Sequence, residues 1–153
     1  MTRVNTAAGL KLQSPVTACV VDYGAYQTDI HQLRQAVFVH EQQVPAWFET
    51  DPLDPLCRHV LAYWNGWVVG TGRLTPEGRI GRVAVAKPLR RRGVGRQMMA
   101  ELLEEAKRQG QQYVVLAAQC HAIPFYEKLG FYCEGVPYEH VGIKHVTMRK
   151  SVA

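Results

Sequence analysis

Between residues 90 and 96 the chain reads Arg-Arg-Arg-Gly-Val-Gly-Arg, and a helical pattern follows at once. Arg90, Arg91, Arg92 and Arg96 offer charge-assisted donors suited to phosphate oxygens. Gly93 and Gly95 remove side chains where the backbone turns into the helix. The first amides of that helix lack intrahelical partners, and the positive end of its dipole lies behind them. The chemistry this predicts is the cradling of a pyrophosphate. The spacing is not that of a P-loop, which ends in Gly-Lys-Ser/Thr. It is not a dinucleotide fingerprint either, because Met98 stands where a third glycine belongs. A solvated basic patch is the plainer alternative for two of the four arginines.

The elements around this loop follow from hydrophobic period and turn residues. A β-branched run at 16–22 predicts a strand. Thr28 and Asp29 offer N-caps for a helix whose apolar stripe is Ile30, Leu33, Val37 and Phe38. Pro45, Pro52 and Pro55 predict an irregular loop over 42–57. Runs at 58–64 and 67–75 are joined by Asn65-Gly66, a strong hairpin signal. A third strand spans 79–86. Strict alternation along it puts Ile80, Arg82 and Ala84 on one face, with Gly81, Val83 and Val85 on the other. Val94, Met98, Met99, Leu102, Leu103 and Ala106 give the next helix its apolar stripe, and Gly110 ends it. The run at 113–118 reads as a strand buried on both faces. A short helix near 122–129 and strands near 131–135 and 143–150 complete an α/β domain with a mixed sheet and helices on its faces.

Composition narrows the function classes. The chain has 153 residues, 47% hydrophobic and 20% charged, which is globular and too ordered in character for a disordered tail or a fibre. We expect a loose N-terminal tail over 1–14 and one domain over 15–153. Eighteen Lys+Arg against thirteen Asp+Glu give a net charge of +5, which favours an anionic partner. Cys19, Cys57, Cys120 and Cys133 show no C-x-x-C spacing and read as reduced thiols of a cytoplasmic protein. No apolar run approaches the length that spans a bilayer, so no membrane partner is expected. No His or Cys pattern has metal-ligand spacing. A nucleic-acid-binding role is disfavoured, because the basic residues cluster on one loop and no nucleic-acid motif is present.

The loop Arg90-x-x-Gly93-x-Gly95 resembles the acyl-CoA signature Q/R-x-x-G-x-G/A of the GNAT superfamily of N-acetyltransferases. The segment Pro124-Phe125-Tyr126-Glu127-Lys128-Leu129-Gly130-Phe131 is similar to that superfamily's second motif. The stretch from Val37 to Pro45, and Tyr138-Glu139 through His145 to Met148, look like its ElaA/YjcF-type branch. The resemblance covers roughly 16–150. It implies the GNAT acyl-CoA N-acyltransferase fold, with acetyl-CoA held in a V between two splayed central strands. It implies that backbone groups of Val83 and Val85 pair with pantetheine amides, with Val83 N–H also serving the thioester oxygen. Amides and side chains from Arg90 to Arg96, Val94 included, would hold the pyrophosphate. Tyr126 stands where the family's tyrosine approaches the CoA sulfur; without the resemblance it reads as a core aromatic. Gln119 occupies a position where many members have asparagine.

The implied reaction is acyl transfer to an amine by direct attack in a ternary complex; a non-catalytic acyl-CoA-binding module is the alternative. An ammonium of pKa ~10.4 needs a proton acceptor before it attacks. Glu41, His59 and His145 are the leading candidates, in that order, with Glu49, Asp51, Asp54 and Glu139 behind them. No carboxylate stands at 79–83, where many protein-acetylating members carry one. Arg82 and Arg73, on central strands, either bind an acidic acceptor or pair with internal carboxylates. Cys120 follows the strand at 113–118 and reads as a buried thiol. The acceptor amine is unidentified at this level, and a homodimer is left open.

Overall fold

The computed structural model describes residues 15–153, so the expected tail over 1–14 lies outside the described residues. Seven strands form one sheet in the order β1-β2-β3-β4-β5-β7-β6. The strands are β1 (Thr17–Val21), β2 (Arg58–Trp64), β3 (Trp67–Leu74), β4 (Arg79–Val85), β5 (Tyr113–Gln119), β6 (Tyr132–His140) and β7 (Ile143–Ser151). All neighbours are antiparallel except β4 and β5, which run parallel. Their crossover is α3 (Val94–Arg108), as a parallel pair requires.

The first helix, α1 (Tyr23–Arg34), starts earlier than its sequence signals suggest. Asp22 caps it, its carboxylate accepting from the Ala25 N–H at 2.9 Å, and Thr28 and Asp29 lie inside. The helix continues as a π-helical turn over Gln35–Glu41. The segment expected to be irregular holds a short helix, α2 (Ala46–Glu49), and a 3₁₀ turn at Asp54–Leu56. Asn65 and Gly66 both take positive φ (50° and 77°), the backbone a two-residue hairpin needs. After β5 come a 3₁₀ turn at Cys120–Ala122 and α4 (Ile123–Lys128).

The two long helices cover opposite faces of β3. Gly70 and Gly72 face α3, where a Cβ on Gly70 would meet Met98 Sδ at 2.6 Å and one on Gly72 would meet Leu102 at 3.2 Å. These glycines let Met98, Met99, Leu102 and Ala106 seat fully against the sheet. Each such large side chain contributes about 1.5–3 kcal/mol by burial. Thr71 and Arg73, one residue out of phase, face the α1 side.

Two expectations need correction. Strict alternation does not hold in β4, because Thr71↔Ala84 is followed by Arg73↔Gly81, so β4 carries one extra residue. Arg82 sits at this bulge with φ of 49°. Nor is β5 buried on both faces: Tyr113 and Ala117 are exposed while Val114, Leu116 and Ala118 are buried. One face of β5 packs in the core, and the other opens toward a cleft and solvent.

Candidate active site

β4 and β5 are paired only through Arg79↔Val115 and Ile80↔Leu116. Beyond Ile80 the bulge at Arg82 bends β4 away, while β5 stays in register with β7 from Tyr113↔Ser151 to Gln119↔His145. The two strands therefore open into a V. The Ala86 N–H donates to the Val69 carbonyl at 2.9 Å, so by alternation the peptide groups of Val85 face the open edge, with Val83 beside the bulge. A cleft of about 1130 Å³ fills the V.

One end of the cleft is built for an anion. Gly93 caps α3 with φ of 85° and brings no side chain to the helix start, and the first turn holds no acidic residue. The orphan amides there have only the dipole and nearby cations for company. Arg91 and Arg96 line the cleft and have no acidic partner among the described residues. Arg90 also lines it, held by Glu41 and by the Val85 carbonyl. Arg92 does not line it and donates to the Pro88 carbonyl at 3.4 Å. Gly95 has a packing reason as well: a Cβ there would meet the Phe125 ring at 3.1 Å.

Tyr126, on α4, lines the cleft against Leu116 and Ala117 of β5. Its ring is 9% exposed and packs edge-on against Phe125 and Phe131. Burial pushes its phenol up to about 12. The core reading and the cleft reading are both true of this one ring.

The family model described as the acetyltransferase (GNAT) domain matches residues 21–152. The chain belongs to the GNAT acetyltransferase family. It is 36% identical over 126 residues to the uncharacterized N-acetyltransferase YjcF of Bacillus subtilis, covering 80% of this chain and 90% of that protein. Among solved structures it is similar to ElaA of Escherichia coli, with a TM-score of 0.79 at 31% identity over 89% of this chain and 99% of ElaA. An acyl-CoA N-acyltransferase of Pseudomonas aeruginosa has the same TM-score, identity and coverage. This GNAT chain is an N-acetyltransferase by family, and acyl-CoA is the donor class that the family uses. Among the described residues no helix is long and apolar enough to cross a membrane.

The far end of the GNAT cleft is walled by Phe48, Tyr138, His140 and His145. Their rings make a run of contacts: Phe48–His140 at 5.1 Å, His140–His145 at 6.0 Å and Tyr138–His145 at 6.0 Å between centroids. The Ile143 carbonyl lies 2.7 Å from His145 Nδ1. A carbonyl can only accept, which assigns the proton to Nδ1 and leaves a lone pair on Nε2 in the neutral ring. Arg82 enters here through contacts longer than usual, donating to the Phe48 carbonyl at 3.3 Å and the Glu49 carbonyl at 3.4 Å. Its guanidinium also lies 5.5 Å over the Phe48 ring.

Behind Arg82 lies a buried ion network. Arg34, fully buried, donates to both Asp54 oxygens at 3.0 Å and to the Glu49 carbonyl. Arg73 donates to Asp54 at 2.6 Å and to Asp51 at 2.8 Å. Asp51 also lies 3.6 Å from Arg82, and Glu49 takes His31 at 2.9 Å and Arg34 at 3.6 Å. Three arginines thus meet three carboxylates. Burial alone would raise the Asp54 carboxyl, but its bonds to Arg34 and Arg73 outweigh that and hold it below its usual range. Burial lowers the Arg82 guanidinium, and the neighbouring Arg73 and Arg34 charges add to the effect.

The structure brings most sequence candidates to one cleft and removes others. Val83, Val85, Val94, Gln119, Tyr126 and His145 all line it. His59 does not: it is 1% exposed, stacked on Tyr23 at 4.7 Å, with Nε2 2.8 Å from the Asp54 carbonyl. Burial depresses its protonation, so it is a neutral core histidine. Glu41 stands at the rim, its carboxyl held low by the hydrogen bonds from Arg90. For Arg73 the internal pair is what the fold contains. Glu49, Asp51 and Asp54 are the carboxylates of that network. Cys120 does not line the cleft, although Gln119 and His121 on either side do.

Residues missed include Phe48 and His140 in the cleft wall, and also Arg34 and Gln42. Arg34 takes a place in the apolar stripe of the first helix, four residues after Ile30 and three before Val37. An arginine at a core position was the available signal. Gln42 faces Gln119 in a reciprocal amide pair, at 3.0 and 3.3 Å, and nothing in the sequence pointed to it.

Proposed function

We propose that this GNAT protein moves an acetyl group from acetyl-CoA to the amine of a small acceptor by direct attack in a ternary complex. One observation carries the reading: a single cleft joins the open edge of β4, the uncapped start of α3 and the buried Tyr126 phenol. The amides from Arg91 to Arg96 and the side chains of Arg91 and Arg96 take the pyrophosphate. The peptide groups of Val83 and Val85 pair with the pantetheine arm, and the Val83 N–H supports the oxygen of the tetrahedral intermediate.

The amine reaches the thioester from the ring-walled end. His145 Nε2 is the proton acceptor the geometry favours, because it has a lone pair and lines the cleft. Glu41 ranks below it while Arg90 holds its carboxylate. When the C–S bond breaks, Tyr126 donates a hydrogen bond to the departing sulfur. A phenol near 12 keeps its proton beside a thiolate whose conjugate acid is near ~8.5, so its role is stabilisation by hydrogen bonding. Arg82, with long bonds and its guanidinium part-exposed, is the group left to meet a carboxylate on the acceptor.

A CoA-release assay over amino acids, polyamines and peptides tests this, run beside Tyr126→Phe. The expected result is release with an amine bearing a carboxylate. Tyr126→Phe lowers kcat by about 10²-fold with CoA affinity unchanged. Tight CoA binding with no release from any amine would instead make the protein a binding module.

A further inference from the structure

The donor site of this protein is already occupied by one of its own side chains. Arg90 spends three donors within the cleft wall: Nε on the Val85 carbonyl at 3.0 Å, and both terminal nitrogens on the Glu41 carboxylate at 2.6 Å each. The Val85 carbonyl faces the open edge of β4, where no strand satisfies it. A ligand lying along that edge as an extra strand needs that acceptor. Arg90 also stands three residues before Gly93, beside the orphan amides of α3.

We infer that Arg90 changes partners when acyl-CoA binds, leaving the Val85 carbonyl and the Glu41 carboxylate for the phosphates of the donor. This rests on the acyl-CoA reading above. Charge drives the exchange, since a pyrophosphate carries more negative charge than one carboxylate. The existing pair is bidentate but part-exposed on both sides, so solvent and salt screen it.

The residue next to Glu41 keeps the exchange local. Gln42 is clipped to Gln119 by the reciprocal amide pair, across the V from Arg90. That clip is neutral, so phosphate does not compete for it. Glu41 therefore stays at the rim after Arg90 leaves, now as a bare carboxylate at the end of the π-helical turn.

Isothermal titration of the full chain with CoA tests the exchange, using wild type, Glu41→Gln, Arg90→Gln and the double variant. Removing the carboxylate frees Arg90 in advance, so Glu41→Gln binds CoA about two- to five-fold tighter than wild type. Arg90→Gln binds more weakly. In the Arg90→Gln background the Glu41→Gln change has no further effect, because the two act through one contact. Thermal melting of each variant confirms that it is folded, and Glu41→Ala supplies the same comparison without an amide that could still accept from Arg90. Unchanged or weaker CoA binding by both Glu41 variants overturns the exchange, as does an equal gain with Arg90 absent. Wild type that binds no CoA overturns the acyl-CoA reading and the exchange with it. Wild type that binds, with Glu41 variants unaffected, overturns the exchange alone.

Discussion

This molecule holds two clusters of arginines, and they do opposite things. Arg34, Arg73 and Arg82 lie behind and beside the acceptor end, matched by Glu49, Asp51 and Asp54. Arg90, Arg91 and Arg96 line the cleft at the start of α3, where Glu41 pairs with Arg90. The first cluster is closed at Arg34 and Arg73, whose short bonds tie β3 to α1 and the 42–57 segment, while Arg82 at its edge keeps only long contacts and lines the cleft. The second is open at Arg91 and Arg96, which line the cleft with no acidic partner among the described residues. Arginine count is similar in both; what separates them is how many carboxylates the fold delivers.

Three experiments can break that contrast. The largest effect belongs to the closed cluster. Asp54→Asn leaves Arg34 and Arg73 short of a charge in the interior and costs about 3–5 kcal/mol of stability by urea unfolding. A loss near zero would mean the network is not a structural unit. Acid comes next. Asp51 and Asp54 both have folded values below their ordinary 3.8, so their contribution is complete above that value and is lost as pH falls through the lower folded values. Unfolding free energy measured from about pH 5 downward falls steeply in wild type and less steeply in Asp54→Asn. The smallest effect is on the open cluster. Replacing Arg91 and Arg96 together by Gln raises the KM for acyl-CoA about tenfold and leaves the melting temperature where it was. A drop in melting temperature would place these arginines with the structural set.

Much of this was legible in the residues. The loop at 90–96, the motif around Tyr126 and the element order between them gave the family resemblance, and they gave the donor half of the cleft. Local signals carry such features, because a glycine at a helix start or an Asn-Gly turn acts on its own neighbours. The bulge at Arg82 was only hinted at: Gly81 beside it is a residue that often marks a strand irregularity, but it does not say that Arg82 takes the positive φ. The histidines were not separable either. His59 and His145 are both strand residues with the same chemistry, and only their surroundings make one a neutral core group and the other a wall of the cleft. The partners of Arg34 lie 15 and 20 residues away, Glu49 and Asp54, in a proline-rich segment whose path the sequence leaves open.

The sequence by itself determined the mixed sheet, the glycine turn into α3 with its arginines, and the family, since each depends on short-range pattern. Tertiary structure alone decided which arginines are spent and which are available. It also decided that Glu41 pairs with Arg90 and that Gln42 bridges to Gln119. The physical reason is the same for all of these. Charge and hydrogen-bonding capacity are properties of a residue, but whether they are satisfied depends on what the fold brings within about 3 Å.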